Sequence, residues 1–114
     1  MKDDTIYLRH ILQCIAWLEG YAGGGRQQFM ADHKTQAAAL RDLQTLGESV
    51  KNLSPAITAT HAEIDWRGIV GARNVLVHDY MGINLDLVWE MIDHGMPALK
   101  KVVQQLLEEA GAPQ

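Results

Sequence analysis

Residues 4–21 read DTIYLRHILQCIAWLEGY, and this stretch decides the fold class. Its apolar side chains recur at spacings of three and four residues, the periodicity of one face of an α-helix. They are Ile6, Leu8, Ile11, Leu12, Ile15 and Leu18. Asp3 and Asp4 can accept hydrogen bonds from the free N–H groups of a first turn, so they are expected to cap the helix. The run Gly23-Gly24-Gly25 is expected to end it, because successive glycines lose too much backbone entropy to stay helical.

The same periodicity predicts helices along the rest of the chain. These run from Asp32 to Leu53, from Trp66 to about Val77 with Asp65 as N-cap, from Asn84 through Ile92, and from Gly95 and Pro97 to the last turn. No segment alternates with period two, so a sheet is not expected. The sequence therefore predicts an all-α fold, an antiparallel bundle of four main helices plus a short helix.

Length and composition predict one folded domain over residues 1–114. Apolar residues make up 47% of the chain and charged residues 21%, the balance of a globular protein and not of a disordered one. A helical domain of this size buries only about two-thirds of the surface that its unfolded chain would expose. An apolar face is then left for self-association, and we expect a homodimer.

The cysteine content and the N-terminus predict a cytoplasmic protein. Cys14 is the only cysteine, which excludes an intramolecular disulfide and argues against a cysteine-based zinc site. Asp3 and Asp4 stand where a secretory signal would carry positive charge, and no run approaches the ~20 apolar residues of a membrane span. We therefore expect neither export nor membrane insertion.

The net charge of −4 repels a polyanion at long range. This charge argues against a general nucleic-acid binder. It does not exclude an RNA-cutting enzyme, because phosphate affinity depends on the local arrangement of Lys and Arg in a groove. A local basic cleft is then required.

The predicted third helix carries an unusual polar side. One stripe of this helix is formed by residues that follow one another at steps of four, three and four positions. They are Arg67, Gly71, Asn74 and His78. Arg73 lies about 100° around the helix from Asn74. A cation, an amide and an imidazole are thus expected around a shared rim, and Gly68 and Gly71 are expected to let another backbone come close.

These residue types suit RNA cleavage without a metal. That reaction needs a base for the 2′-hydroxyl proton, an acid for the leaving oxygen and a fixed cation for the charge on the phosphorane. His78 can exchange a proton near neutral pH, and Arg73 offers a permanently charged fork to phosphate oxygens. One histidine per chain is awkward for two proton transfers. Pairing the third helices of two protomers would bring two histidines and two arginines into one cleft.

Residues 66–80, WRGIVGARNVLVHDY, closely resemble the signature of HepT-like HEPN proteins. In that signature a Trp-x-x-Ile-x-Gly lead is followed by Arg, a polar residue, three further residues, His, any residue and Tyr. Residues 46–54 resemble the family's second-helix segment, and residues 88–92 and 96–99 its closing helices. The resemblance covers most of the chain from about Leu40 and is weakest from Gly23 to Lys34. Asp79 stands where Glu is frequent and Ala72 where Met is common, both outside the proposed chemistry.

The resemblance implies a helical homodimer, the HEPN fold, whose paired Arg73 and His78 line a composite cleft that cleaves RNA without a metal or cofactor. It also implies a toxin whose antitoxin is a minimal nucleotidyltransferase, with Tyr80 as the acceptor of adenylyl groups. A bulky anionic adduct two residues from His78 would block the cleft and repel an RNA phosphate. Asn74 and Glu48 are expected to support the site.

Other interpretations stay open at this point. The same family pattern fits a non-catalytic HEPN module that dimerises and binds a nucleotidyltransferase partner or a nucleotide. Glu48 is expected to face inward, where it either orients Arg73 or is merely solvated. Glu90 and His94, four residues apart, could join Asp93 in a metal site, although a polar helix end explains them more simply. The tryptophans are interpreted as core or interface anchors: Trp17, Trp66 and Trp89.

Overall fold

The chain is mostly helical in the computed structural model, which describes residues 3–72, 77–78 (backbone only) and 82–111. The helices are α1 (Asp4–Ala22), α2 (Arg26–Ala31), α3 (His33–Lys51), α4 (Pro55–Thr60), α5 (Trp66–Val70), α6 (Leu85–Glu90) and α7 (Met96–Glu109). A π-helical turn, Met91–Gly95, joins α6 to α7, and two-residue strands β1 (Val77–His78) and β2 (Gly82–Ile83) pair antiparallel. The predicted helical class is confirmed. The strand pair was not predicted.

Side-chain caps fix where the helices begin. The carboxylate of Asp3 accepts a hydrogen bond from the Thr5 N–H at 3.0 Å, as the sequence predicts. The other caps are Asp32 at α3, Asp65 at α5 and Asn84 at α6. Each cap satisfies one of the N–H groups that a first helical turn leaves without a partner. Sequence and structure therefore agree on the starts of these helices.

The core lies where α1 packs against α3 on one side and against α7 on the other. It contains most of the predicted α1 stripe, including Ile11, Ile15 and Leu18, which are fully buried. Leu46 of α3 and Leu99 of α7 meet them at 0% exposure. Ile6 was also assigned to the α1 stripe, and this is wrong because its side chain is 61% exposed.

A series of polar contacts also joins α1 to α3 and to the start of α4. The Asp4 carboxylate accepts hydrogen bonds from the N–H and hydroxyl of Ser54, the N-cap of α4, and His10 Nδ1 lies 2.5 Å from Ser49 Oγ of α3. Near the other end, the Tyr21 hydroxyl donates to the buried Asp42 carboxylate at 2.8 Å, and this hydrogen bond raises the pKa of Tyr21. Buried polar groups are costly without partners, so these pairs favour one register of the two helices.

Helix α2 lies between Gly25 and Asp32, where no helix was predicted. Its one buried side chain is Phe29, whose ring centroid is 5.5 Å from that of Trp89. Gln36 of α3 donates hydrogen bonds to the carbonyls of Phe29 and Met30, which closes the end of α2. Six residues with one buried side chain show no periodicity, so only tertiary contacts reveal this helix.

The prediction of one helix from Trp66 to about Val77 is wrong. Helix α5 ends at Val70, and Gly71 follows as a turn whose N–H donates to the Arg67 carbonyl. Val77 lies in β1, where its Cα is paired with that of Ile83. Apolar spacing alone shows neither the turn at Gly71 nor the extended backbone at Val77.

The predicted start of the last helix at Gly95 and Pro97 is confirmed, because α7 begins at Met96 with Gly95 as its N-cap and Pro97 in its first turn. The sequence did not predict the π-helical turn that makes Leu85 to Glu109 one continuous helical run, in which the Met96 N–H donates to the Met91 carbonyl five residues earlier. Proline lacks an N–H and its ring clashes with the carbonyl four residues before it. The π-helical turn lies just ahead of Pro97, where a change in hydrogen-bond spacing accommodates the ring.

None of the helices described here is both long and apolar enough to cross a bilayer.

Candidate functional site

The predicted site residues fall at the edge of what the structure describes. Arg73, Asn74 and Tyr80 lie outside the described residues. The backbone of His78 is described, and it lies in β1 with its Cα paired to that of Gly82. Asn74 and His78 were expected to share a helical face, which requires a helix that persists through both. Because His78 has an extended backbone, that reason for their proximity does not apply.

Gly82 gives the strand pair its local geometry. Its φ of +94° lies in the left-handed region that side chains disfavour. Among the described residues, an ideal Cβ at this position would meet nothing within 4 Å, so the preference for glycine here comes from the backbone conformation. The residue paired with His78 is thus one that few other amino acids could replace without strain.

Gly47 seats α5 against α3. An ideal Cβ at Gly47 would lie 3.0 Å from the Ile69 carbonyl oxygen and 3.7 Å from the Val70 Cα. The sequence-based expectation gave Gly68 and Gly71 the role of admitting another backbone, and among the described residues of this chain neither admits a backbone from another element. A Cβ at Gly68 would meet the Asp65 carboxylate, the cap of its own helix, and one at Gly71 would meet the Arg67 carbonyl oxygen at 3.2 Å. The glycine that permits the close approach therefore lies in α3.

Replacing Gly47 by alanine is expected to lower the free energy of unfolding by about 1 to 3 kcal/mol, since the backbone of α5 must move away. Gly20→Ala is the matched control, because a Cβ at Gly20 in α1 meets nothing within 4 Å. That variant should gain about 0.5 to 1 kcal/mol from helix propensity. Urea unfolding of both variants measures the difference. Equal gains in stability would contradict the close approach.

Two grooves flank α5. The first groove, of about 430 Å³, lies between α3 and α5 and is lined by Leu43, Gln44, Thr45, Glu48, Ile69 and Val70. The second groove, of about 370 Å³, is lined by Val50, Lys51, Leu53, Thr58, Trp66, Arg67, Val70 and Gly71. Val70 is 40% exposed and forms the ridge between them. Helix α5, which leads into the predicted site segment, is thus bordered on both sides by open concave surface.

Glu48 does not face inward as expected. Its side chain is exposed at the rim of the first groove, and its backbone carbonyl accepts a hydrogen bond from the Asn52 amide at 2.8 Å. Two of the three tryptophans are buried as expected, with Trp66 and Trp89 each 8% exposed. Trp17 is 47% exposed and forms no part of this core.

The acidic cluster of the π-helical turn consists of surface ion pairs. His94 Nε2 lies 3.5 Å from a Glu90 carboxylate oxygen and 3.3 Å from one of Asp93, with all three side chains at least half exposed. Among the residues that the structure describes, no group of three His, Cys, Asp or Glu side chains is arranged to hold a metal ion. Ion pairing accounts for this cluster.

The family described as "Ribonuclease HepT-like" matches residues 11–106. The chain belongs to this family. Its HepT-like region covers the core helices, both grooves and the β1–β2 pair. The family assignment thus agrees with the resemblance found at residues 66–80 and extends it to α1.

Relatives support the HepT-like assignment over nearly full length. A Caldanaerobacter subterraneus subsp. tengcongensis protein named "Putative RNase TTE0752" is 36% identical over 110 residues, 96% of this chain and 98% of its own. A Thermococcus cleftensis protein named "Probable ribonuclease HepT" is 32% identical over 101 residues, 88% of this chain and 92% of its own. No solved structure matches the chain significantly.

Proposed function

We propose that this HepT-like chain is an endoribonuclease that cleaves RNA without a metal, in a composite cleft formed by two copies of the chain. The observation that carries the proposal is the match to the ribonuclease HepT-like family over residues 11–106, with relatives named as ribonucleases. We assign Arg73 and His78 as the catalytic residues. We assign Asn74 and Glu48 as residues that support the site.

The proposed reaction transfers a phosphoryl group within the RNA strand, from the 5′-oxygen to the adjacent 2′-oxygen. The 2′-oxygen attacks the adjacent phosphorus while its proton passes to an imidazole, and the bond from phosphorus to the 5′-oxygen breaks as that oxygen takes a proton. The products are a 2′,3′-cyclic phosphate and a 5′-hydroxyl. His78 supplies acid and base catalysis, and the Arg73 guanidinium stabilises the charge that gathers on the phosphorane.

A homodimer supplies the second histidine. One protomer contributes a single His78, whereas the reaction needs both a base and an acid. In a dimer with twofold symmetry the same patch of each chain meets its copy, so two His78 and two Arg73 side chains can surround one phosphodiester.

Activity is proposed to be controlled by a nucleotidyltransferase antitoxin, which makes the chain a toxin. The antitoxin would transfer an adenylyl group to Tyr80. Such an adduct carries negative charge and stands two residues from His78, so it would exclude an RNA phosphate by repulsion and by bulk.

The experiment is RNA cleavage by freshly purified, unmodified protein in excess EDTA. We expect the wild-type chain to cut RNA and Arg73→Ala to abolish cutting while the dimer survives in gel filtration. Arg41→Ala is the matched control, since Arg41 is exposed on α3 and outside both grooves. Intact RNA with the wild-type chain would instead favour a non-catalytic HEPN module. The acidic net charge of −4 also favours that alternative, because it repels RNA.

A further inference from the structure

The second groove beside α5 carries positive charge on an acidic protein. Lys51 and Arg67 are both exposed and line this groove, and no carboxylate lines it among the described residues. Neither side chain forms an ion pair within that part of the chain, in contrast to Arg26 with Asp86 and Lys100 with Glu19. The groove therefore carries two cations that no described carboxylate neutralises.

The distribution of cations along the sequence makes this placement specific. Between residues 42 and 99 the chain has three Lys or Arg residues, namely Lys51, Arg67 and Arg73. The fold brings the first two to one groove, although they are 16 positions apart in sequence and lie on different helices. Arg73 follows Gly71, one of the lining residues, by two positions. Two residues of backbone span at most about 7 Å, so the proposed catalytic segment begins close to the groove lining.

We infer that this groove is the phosphate-binding track that leads a single-stranded RNA to the proposed cleavage site, with Lys51 and Arg67 as the cations that hold it. The inference rests on the proposed function and adds two binding residues to it. A polyanion gains affinity by releasing counterions at such cations, which lets a local track overcome the repulsion of a net charge of −4.

The shape of the groove fits a strand with its bases turned inward. Its floor is apolar, with Val50 and Leu53 almost fully buried and the Val70 side chain open. Bases can lie on such a floor while the phosphates stay at the charged rim. The lining has few hydrogen-bonding groups for base edges, so the track should bind RNA with little sequence preference.

The test is the salt dependence of RNA binding. Fluorescein-labelled oligouridylate is titrated with the full chain carrying His78→Ala, so that it stays uncut, and the logarithm of the binding constant is plotted against that of the salt concentration. Lys51→Gln/Arg67→Gln is expected to reduce the steepness of this plot by about 1.4, since each phosphate contact on single strands contributes about 0.7.

The control removes the same charge elsewhere. Arg41→Gln/Lys101→Gln also lowers the net charge by two, at exposed positions outside the groove, and should leave the slope as it was. Lys51→Arg/Arg67→Lys keeps both charges and should retain the slope, with circular dichroism to show that all variants fold. Equal slopes for the two glutamine pairs would overturn the inference.

Two further outcomes separate the inference from the proposed function. If the wild-type chain cuts RNA in EDTA while the glutamine pairs do not differ, the ribonuclease stands and the track is wrong. If Lys51→Gln/Arg67→Gln keeps the RNA slope but loses binding to a purified nucleotidyltransferase, the groove is a protein-docking surface and the track is again wrong.

Discussion

His78→Ala is expected to lower the rate of RNA cleavage by about 10² to 10⁴-fold, the usual contribution of a positioned general acid or base. In the proposed dimer a single substitution removes both imidazoles, so neither proton transfer keeps its catalyst. Because one imidazole must act as base and the other as acid, the wild-type rate should depend on pH in a bell-shaped way. The His78→Ala protein should lose this bell shape. Single-turnover cleavage of a labelled RNA across pH measures both effects.

His33→Ala is the matched control for this loss. His33 is an exposed residue in the first turn of α3, remote in sequence from β1, and its removal should leave both rate and pH profile as they are. The backbone pairing of residue 78 with Gly82 does not need the imidazole, so the His78→Ala protein should keep its fold and its dimer. A folded, dimeric His78→Ala protein that cuts RNA at the wild-type rate would rule out the assigned role.

Coexpression with a cognate nucleotidyltransferase is expected to add adenylyl mass to the chain and to reduce its RNA cleavage to the level of His78→Ala. In the proposed step the phenolic oxygen of Tyr80 attacks the α-phosphorus of a nucleoside triphosphate, pyrophosphate leaves, and the phenolic proton passes to solvent. Intact-mass spectrometry of protein made with and without the partner measures the addition, and removal of the adduct by a phosphodiesterase should restore cleavage.

The other tyrosines supply controls. Tyr80→Phe should stay at its unmodified mass and cut RNA whether or not the partner is present. Tyr7→Phe and Tyr21→Phe should still gain mass. The hydrogen bond to Asp42 that Tyr21→Phe loses joins α1 to α3 and has no part in the proposed modification. Mass added equally to Tyr80→Phe would place the modification elsewhere, and no added mass under any condition would remove this form of control.

Interactions between residues close together in the sequence determine much of this fold, so the sequence by itself predicts that part. Short-range rules govern helix caps and apolar periodicity, so Asp3, Asp65 and Asn84 mark helix starts and Ile11, Ile15 and Leu18 mark the core. Local patterns failed where a segment depends on distant partners. Helix α2 is held by Gln36 and Trp89, and β1 by its pairing with β2, so neither has a signal of its own.

For the candidate site, the sequence alone gave the family and the residue types at positions 73, 78 and 80. Tertiary structure decided which surfaces border α5, the helix that precedes these positions. It placed Gly47, not Gly68 or Gly71, at the closest approach of α5, and it turned Glu48 outward. It also brought Lys51 and Arg67 to one groove. Sequence spacing determines proximity only within one element, because contacts between elements depend on how whole helices pack.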